Sequence, residues 1–199
     1  MIAIAAKTEP YTPEAYLALE LEAEIRNEYR NGEIVPMTGG TPNHNALASN
    51  LLVALKLALK GQPYRVFITD QRLWIPERNL YTYPDIMVVS HPLALQSGRK
   101  DTVTQPLFIA EVLSDSTKHY DRDEKFAAYR TLPSFREYLL IDQYRIHVEH
   151  YLWQAKDRWR LMEYDCLEGR VLLSSLEVAI ALAALYETVE MPADETRPQ

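Results

Sequence analysis

Apolar positions along the chain repeat with two different periods. Between Pro42 and Lys60, Leu47, Leu51, Leu55 and Leu59 recur every four residues, and Ala48 and Leu52 widen the stripe. That spacing buries one face of a helix and predicts one over this segment. Gly61 follows as a C-terminal cap. Elsewhere the apolar residues come in short runs that predict strands: Tyr64–Ile68, Gln71–Ile75, Tyr83–Val89, Leu107–Leu113 and Glu137–Asp142. Ile86-Met87-Val88-Val89 is apolar on both faces, and Leu107–Leu113 is too except at one position. Both therefore read as central strands.

Polar residues punctuate these runs. Thr12-Pro13-Glu14 opens a short helix with a hydroxyl cap, a proline in the first turn and an acid near the positive end. Asn31-Gly32, between Arg26–Arg30 and Glu33–Met37, is a strong hairpin signal because both residues tolerate positive φ. Turns are expected at Thr38–Asn43 and Pro76–Asn79. The long loop His91–Gln105 suggests a functional or disordered segment. A second helix is predicted over Asp121–Leu132, with Asp121 and Glu124 at capping-pair spacing and Pro133 as its stop. Arg145–Trp153 and Arg158–Tyr164 predict a hairpin across Gln154–Asp157, and Leu172–Glu187 a short strand or turn followed by a helix. This order describes an α/β protein: a mixed sheet flanked by helices, with added N- and C-terminal hairpins. The 199 residues suit a single domain with a core over about 12–187 and loose ends.

Composition narrows the chemistry. No apolar run approaches the roughly 18 residues that span a membrane, and the N-terminus lacks the pattern of a secretory signal. A cytoplasmic protein with no membrane partner is expected. The single cysteine, Cys166, can form neither an internal disulfide nor a zinc site by itself. Any metal should therefore be a hard cation held by carboxylates. The net charge of −7 argues against a general nucleic-acid coat protein. It leaves room for an enzyme with local basic clusters.

Two carboxylates stand in apolar strands. Glu111 is the one charged residue in Leu107–Leu113, and Asp85 heads the run Ile86–Val89 after Pro84. An isolated buried carboxylate costs several kcal/mol, so Glu111 needs either a structural ion pair or a metal. Pro-Asp alone also suits a turn. On neighbouring strands the two acids would repel by roughly 4 kcal/mol at 4 Å and an effective dielectric of 20. A divalent cation would remove that repulsion and account for both. A tight strand-to-helix connection would bring Lys125 back over the end of its strand, to hold a water or offset developing charge. Lysine on a helix is also commonly a solvated residue. Arg122 and Tyr129 share its face.

These residues resemble those of a restriction-endonuclease family present in many copies in some bacterial genomes, within the PD-(D/E)XK nuclease superfamily. The resemblance rests on Pro84-Asp85, Glu111-Val112-Leu113-Ser114-Asp115-Ser116-Thr117, Asp121-Arg122 with Lys125 and Tyr129, and Glu137-Tyr138. It extends to Glu28-Tyr29-Arg30-Asn31-Gly32-Glu33-Ile34 and to His44. The superfamily's usual lysine, two residues after the acid, is replaced here by Leu113, and the resemblance moves that role to Lys125. It implies Mg²⁺- or Mn²⁺-dependent phosphodiester hydrolysis, with Asp85 and Glu111 holding metal and Asp85, Glu111 and Lys125 catalytic. Glu28, His44 and Arg122 are accessory candidates, each with a structural reading beside it. The partner implied is nucleic acid, double-stranded DNA first, cut by a homodimer. The alternatives are an inactive binding or scaffold protein on the same fold, or a hydrolase of RNA or nucleotide phosphodiesters. Tyr144, Tyr151, Trp153, Trp159 and Tyr164 form an aromatic hairpin that suits core, a dimer face or base stacking.

Overall fold

A computed structural model describes residues 9–191. The loose ends expected of the chain fall almost wholly outside that range. Helix α1 spans Pro13–Glu22, and Thr12 Oγ1 accepts from Ala15 N at 3.1 Å as its cap. Strands β1 (Asn27–Arg30) and β2 (Glu33–Pro36) form the first hairpin. Asn31 and Gly32 turn it with φ of 46° and 104°, as the sequence predicts. A Cβ on Gly32 would lie 2.5 Å from Pro10 Cβ, so close packing also demands glycine there. Helix α2 (Pro42–Ala58) buries Leu47, Ala48, Leu51 and Leu55. Full burial of each such leucine contributes about 1.5–3 kcal/mol.

Strands β3 (Tyr64–Ile68), β4 (Arg72–Ile75), β5 (Leu80–Thr82), β6 (Ile86–Ser90), β7 (Thr102–Val103) and β8 (Pro106–Leu113) follow. Helix α3 is a continuous run over residues 118–129. It is α-helical at Lys118–Tyr120, π-helical at Asp121–Lys125 and α-helical again at Phe126–Tyr129. The chain closes with β9 (Glu137–Asp142), β10 (Val148–Ala155), β11 (Arg158–Tyr164), β12 (Arg170–Leu173), β13 (Val178–Ala181) and α4 (Leu182–Leu185).

Six strands form the central sheet, in the order β11-β10-β9-β8-β6-β3, antiparallel except for β8 beside β9. On one face Ile86, Val88, Phe108, Ala110 and Val112 pack against α2, the β12–β13 hairpin and α4. On the other, Met87, Val89, Ile109 and Leu113 meet α3 and the apolar side of a second sheet, ordered β2-β1-β5-β4-β7. Alternation along β8 therefore sends Glu111 toward α3.

The α/β class is as read from the sequence, and its strands are shared between two main sheets. The strand expected over Tyr83–Val89 is confined to β6, Ile86–Ser90; Tyr83, Pro84 and Asp85 instead connect it to β5, Leu80–Thr82, a strand of the second sheet not expected from the sequence. Pro84 has no N–H to give a ladder, and the chain crosses between sheets there. The segment expected as a long loop is partly ordered, because β7 pairs in parallel with β4 and Leu95 bridges to Val103. The C-terminal region forms the β12–β13 hairpin before its short helix. Among the described residues no helix is long and apolar enough to cross a membrane.

Candidate active site

The crossing at Pro84 sets Asp85 just ahead of β6. Ile86 pairs with Ala110 of antiparallel β8, which brings Asp85 opposite Glu111. Each acid is held by the other strand's backbone. Asp85 N donates to Glu111 Oε2 at 3.1 Å, and Val112 N donates to Asp85 Oδ2 at 2.8 Å. Glu111 Oε1 accepts from Lys125 Nζ at 3.1 Å and from the Tyr129 hydroxyl at 2.6 Å. Burial raises the pKa of Glu111. Lys125 opposes the shift, Asp85 and Asp121 add to it, and the group is pushed up to about 8.

Lys125 is surrounded by acids. Its Nζ lies 3.1 Å from Glu111, 3.2 Å from Asp121 and 3.5 Å from Glu28. Burial alone would favour the neutral amine, but the three carboxylates hold its pKa well above the usual lysine value. The π-helical turn carries both Asp121 and Lys125, and such turns are frequent at functional sites. Asp121, read from the sequence as a cap, is no cap. The helix is already running from Lys118, and the Asp121 side chain is buried beside Lys125.

Glu28 reaches the cluster from β1 of the second sheet. Thr82 Oγ1 donates to its Oε1 at 2.5 Å, and Arg30 Nη2 to its Oε2 at 2.6 Å. Burial works against its charge, yet Lys125, Arg30 and Thr82 hold its carboxyl below the usual range. The Arg30 guanidinium sits 3.6 Å over the Tyr120 ring, which fixes it in place. His44, in the first turn of α2, places Nε2 3.1 Å from Asp85 Oδ2. Burial opposes its protonation, but Asp85 and then Glu111 raise its pKa.

The structure thus brings Asp85, Glu111, Lys125, Glu28 and His44 together. It does not bring Arg122. That guanidinium turns outward and donates twice to Glu149 Oε1, at 2.9 and 2.7 Å, while Tyr151 donates to the other oxygen. Asp121, Thr82 and Tyr120 belong to the cluster without having been singled out for it. Only Asp121 left a sequence signal, its four-residue spacing to Lys125. Within the aromatic hairpin, Tyr151 and Trp159 pack on Phe126.

Among the described residues no group of three or more His, Cys, Asp or Glu is arranged to hold a metal ion. Mg²⁺ does not require one, since it keeps several waters and takes one or two carboxylates. Asp85 and Glu111 fit that demand. They are hard oxygen donors on one side of adjacent strands, Oδ1 of Asp85 takes no part in the bonds above, and Glu111 is an acid whose charge the site disfavours.

Comparison with known proteins bears on this site. A family model described as "Putative restriction endonuclease", Uma2, matches residues 13–185. Two uncharacterized proteins of Synechocystis sp. are similar. The first, sll1609, is 41% identical over 160 residues, 80% of this chain and 90% of the relative. The second, slr1290, is 30% identical over 177 residues, 88% of this chain and 90% of the relative. A crystal structure titled as a putative nuclease belonging to DUF820, from Anabaena variabilis, superposes with a TM-score of 0.71. It is 20% identical and covers 89% of this chain and 98% of its own, so it shares the fold. By the extent of the family match and the identity of these relatives, the chain belongs to the Uma2 family of putative restriction endonucleases.

Proposed function

We propose that the protein is a metal-dependent endonuclease that hydrolyses phosphodiester bonds, with duplex DNA as its substrate, a homodimer as its working form and the cytoplasm as its place. The observation that carries this reading is the pairing of Asp85 with Glu111 across two strand ends, with a buried, charged Lys125 touching one of them. Asp85 and Glu111 would hold Mg²⁺ or Mn²⁺. When bound, the ion supplies Lewis-acid charge at the scissile phosphate.

The protein's own groups do the rest. Lys125 keeps its proton, because three carboxylates favour the ammonium. It therefore acts by charge and hydrogen bonding, orienting a water or offsetting the negative charge that grows on the phosphate. Tyr129 and the Asp85 N–H fix the Glu111 carboxylate so that it does not swing toward the lysine alone. His44, inclined to protonation by Asp85, bonds Asp85 Oδ2 through Nε2 and so holds that carboxylate in place.

The test is cleavage of plasmid, duplex and single-stranded oligonucleotides and RNA, with Mg²⁺, with Mn²⁺ and with EDTA. Duplex DNA should be cut only with metal. Glu111→Ala and Asp85→Asn should lose cleavage, and Lys125→Ala should slow it by about 10²–10⁴-fold. Full activity of Glu111→Ala would end the reading, and preferential cutting of RNA would move the substrate. Light scattering at tens of micromolar should give the dimer mass.

A further inference from the structure

Away from Asp85 and Glu111, a second hollow lies where α3 ends. It is walled by the end of α3, residues 130–136 and the tip of the β10–β11 hairpin. Arg78, Arg130, Arg136 and Lys156 line it with Trp153 and Trp159, and Asp157 is the one acid in its wall. None of these four cations is in an ion pair among the described residues. Of the other described arginines, Arg26, Arg30, Arg72, Arg99, Arg122 and Arg145 each face a carboxylate, and the remaining four do not line the hollow. In a chain of net charge −7 this is a local concentration of unneutralised positive charge.

The hollow is also pre-shaped. Arg136 donates from Nη1 to the carbonyls of Pro133 and Phe135, at 2.7 and 2.8 Å, and its guanidinium stands 4.6 Å from the Trp153 ring centre. Trp159 is packed on Phe126 and Phe135 at 5.3 and 5.4 Å. Trp153 stays 36% exposed. A fixed aromatic ring beside cations without an acidic partner is the recognition chemistry of unpaired nucleic-acid strands: phosphates meet the cations and bases stack on the ring.

Its position relates it to the acid cluster. Arg136 N donates to Leu107 O, which sets the hollow at the start of β8, whereas Glu111 lies four residues along that strand. At about 3.3 Å per residue the separation is roughly 13 Å. At 3.4 Å per stacked nucleotide, that is about four nucleotides.

We propose that this hollow is a second nucleic-acid site, which grips an unpaired stretch of strand, at a gap, overhang or frayed end of the duplex, a few nucleotides from the bond to be cut. Its relation to the cut rests on the nuclease reading; the grip itself does not. The test is fluorescence anisotropy of a labelled twelve-nucleotide oligo-dT and of a duplex of equal length, on the full chain in EDTA. The single strand should bind more tightly than the duplex. Arg130→Ala with Lys156→Ala should weaken it about ten-fold and reduce the salt slope by roughly 1.4, two contacts at 0.7 each. Trp153→Ala should weaken it about ten-fold with the salt slope unchanged. All three residues are on the surface, and thermal melts establish that the variants are folded. Equal affinity of the double variant and the parent protein would overturn the proposal. So would equal binding of duplex and single strand, or no binding in EDTA. Cleavage is scored separately with Mg²⁺. Intact binding without cleavage counts against the nuclease and for the site, and cleavage without single-strand binding does the reverse.

Discussion

Charge at the Lys125 cluster is unbalanced, and that imbalance decides what single substitutions should do. Glu28, Asp85, Glu111 and Asp121 meet Lys125 and Arg30, with His44 at the edge. Removing Glu111 leaves Lys125 with two acids, so in EDTA Glu111→Gln should be close to neutral at low pH and stabilising at neutral pH, where the raised pKa of the buried acid costs stability. Removing the cation is different. Lys125→Met strands three carboxylates around an apolar group and should cost about 3–5 kcal/mol by denaturant titration. A larger loss from Glu111→Gln than from Lys125→Met would mean that Glu111 holds the cluster together. The pH dependence has a definite sign. Glu111 stands at about 8 when folded, against 4.5 for an ordinary glutamate, so the folded state keeps its proton longer. Its contribution is full below about 4.5 and fades as pH rises toward 8. Metal-free protein should therefore lose stability across that window, and Glu111→Gln should flatten the slope. Much of this cluster is legible in the sequence, because an acid in an apolar strand demands a partner. Thr82 and Tyr120 are not legible, since such residues are buried in many cores without a role. Arg122 misleads because sharing a helix face with Lys125 does not decide which way a long side chain turns.

At the scale of elements, two local irregularities build the site. The first is Pro84, which stands between β5 of the second sheet and β6 of the central one and leaves Asp85 at the junction. The apolar run Ile86–Val89 announces β6, whereas β5 is three residues long and too short to show a period; the proline is the clue to the break. The second is the π-helical turn over Asp121–Lys125. No residue pattern announces it, since one extra residue per turn is a matter of hydrogen bonding, stabilised by what the turn packs against. It makes a specific prediction. Deleting the exposed Asp123 should remove that extra residue and leave a regular α-helix, with the flanking residues still on their present faces. Asp121 would stand three positions from Lys125 instead of four, on the same face but without the geometry that the π turn gives the pair. Circular dichroism should report a folded protein, while cleavage falls at least ten-fold. Unchanged cleavage would show that the turn has no part in arranging the site.

The whole molecule is layered so that the site closes only when three layers meet. The central sheet brings Asp85 and Glu111, the second sheet brings Glu28 and Thr82, and α3 lies between them with Lys125 and Tyr129. The α/β order of elements can be read along the chain. The partition into two sheets cannot, because it depends on pairings such as Tyr29 with Tyr81 that no local pattern encodes. A cation shared by Asp85 and Glu111 would act on this assembly as a ligand of the folded state alone. Bound at a hundred times its Kd, it should add about 2.7 kcal/mol. For a chain of this size each kcal/mol moves Tm by about 2–4 °C, so Mg²⁺ should raise Tm by roughly 5–10 °C over EDTA. Glu111→Gln and Asp85→Asn should abolish that rise. Glu28→Gln should keep most of it, because Glu28 touches Lys125 and neither of the two proposed ligands. Lys125→Met should show the largest rise, since the added dication would replace the positive charge it lost. An equal shift in all four variants would mean that Mg²⁺ acts elsewhere on an acidic surface, and the assignment of Asp85 and Glu111 would fall with it.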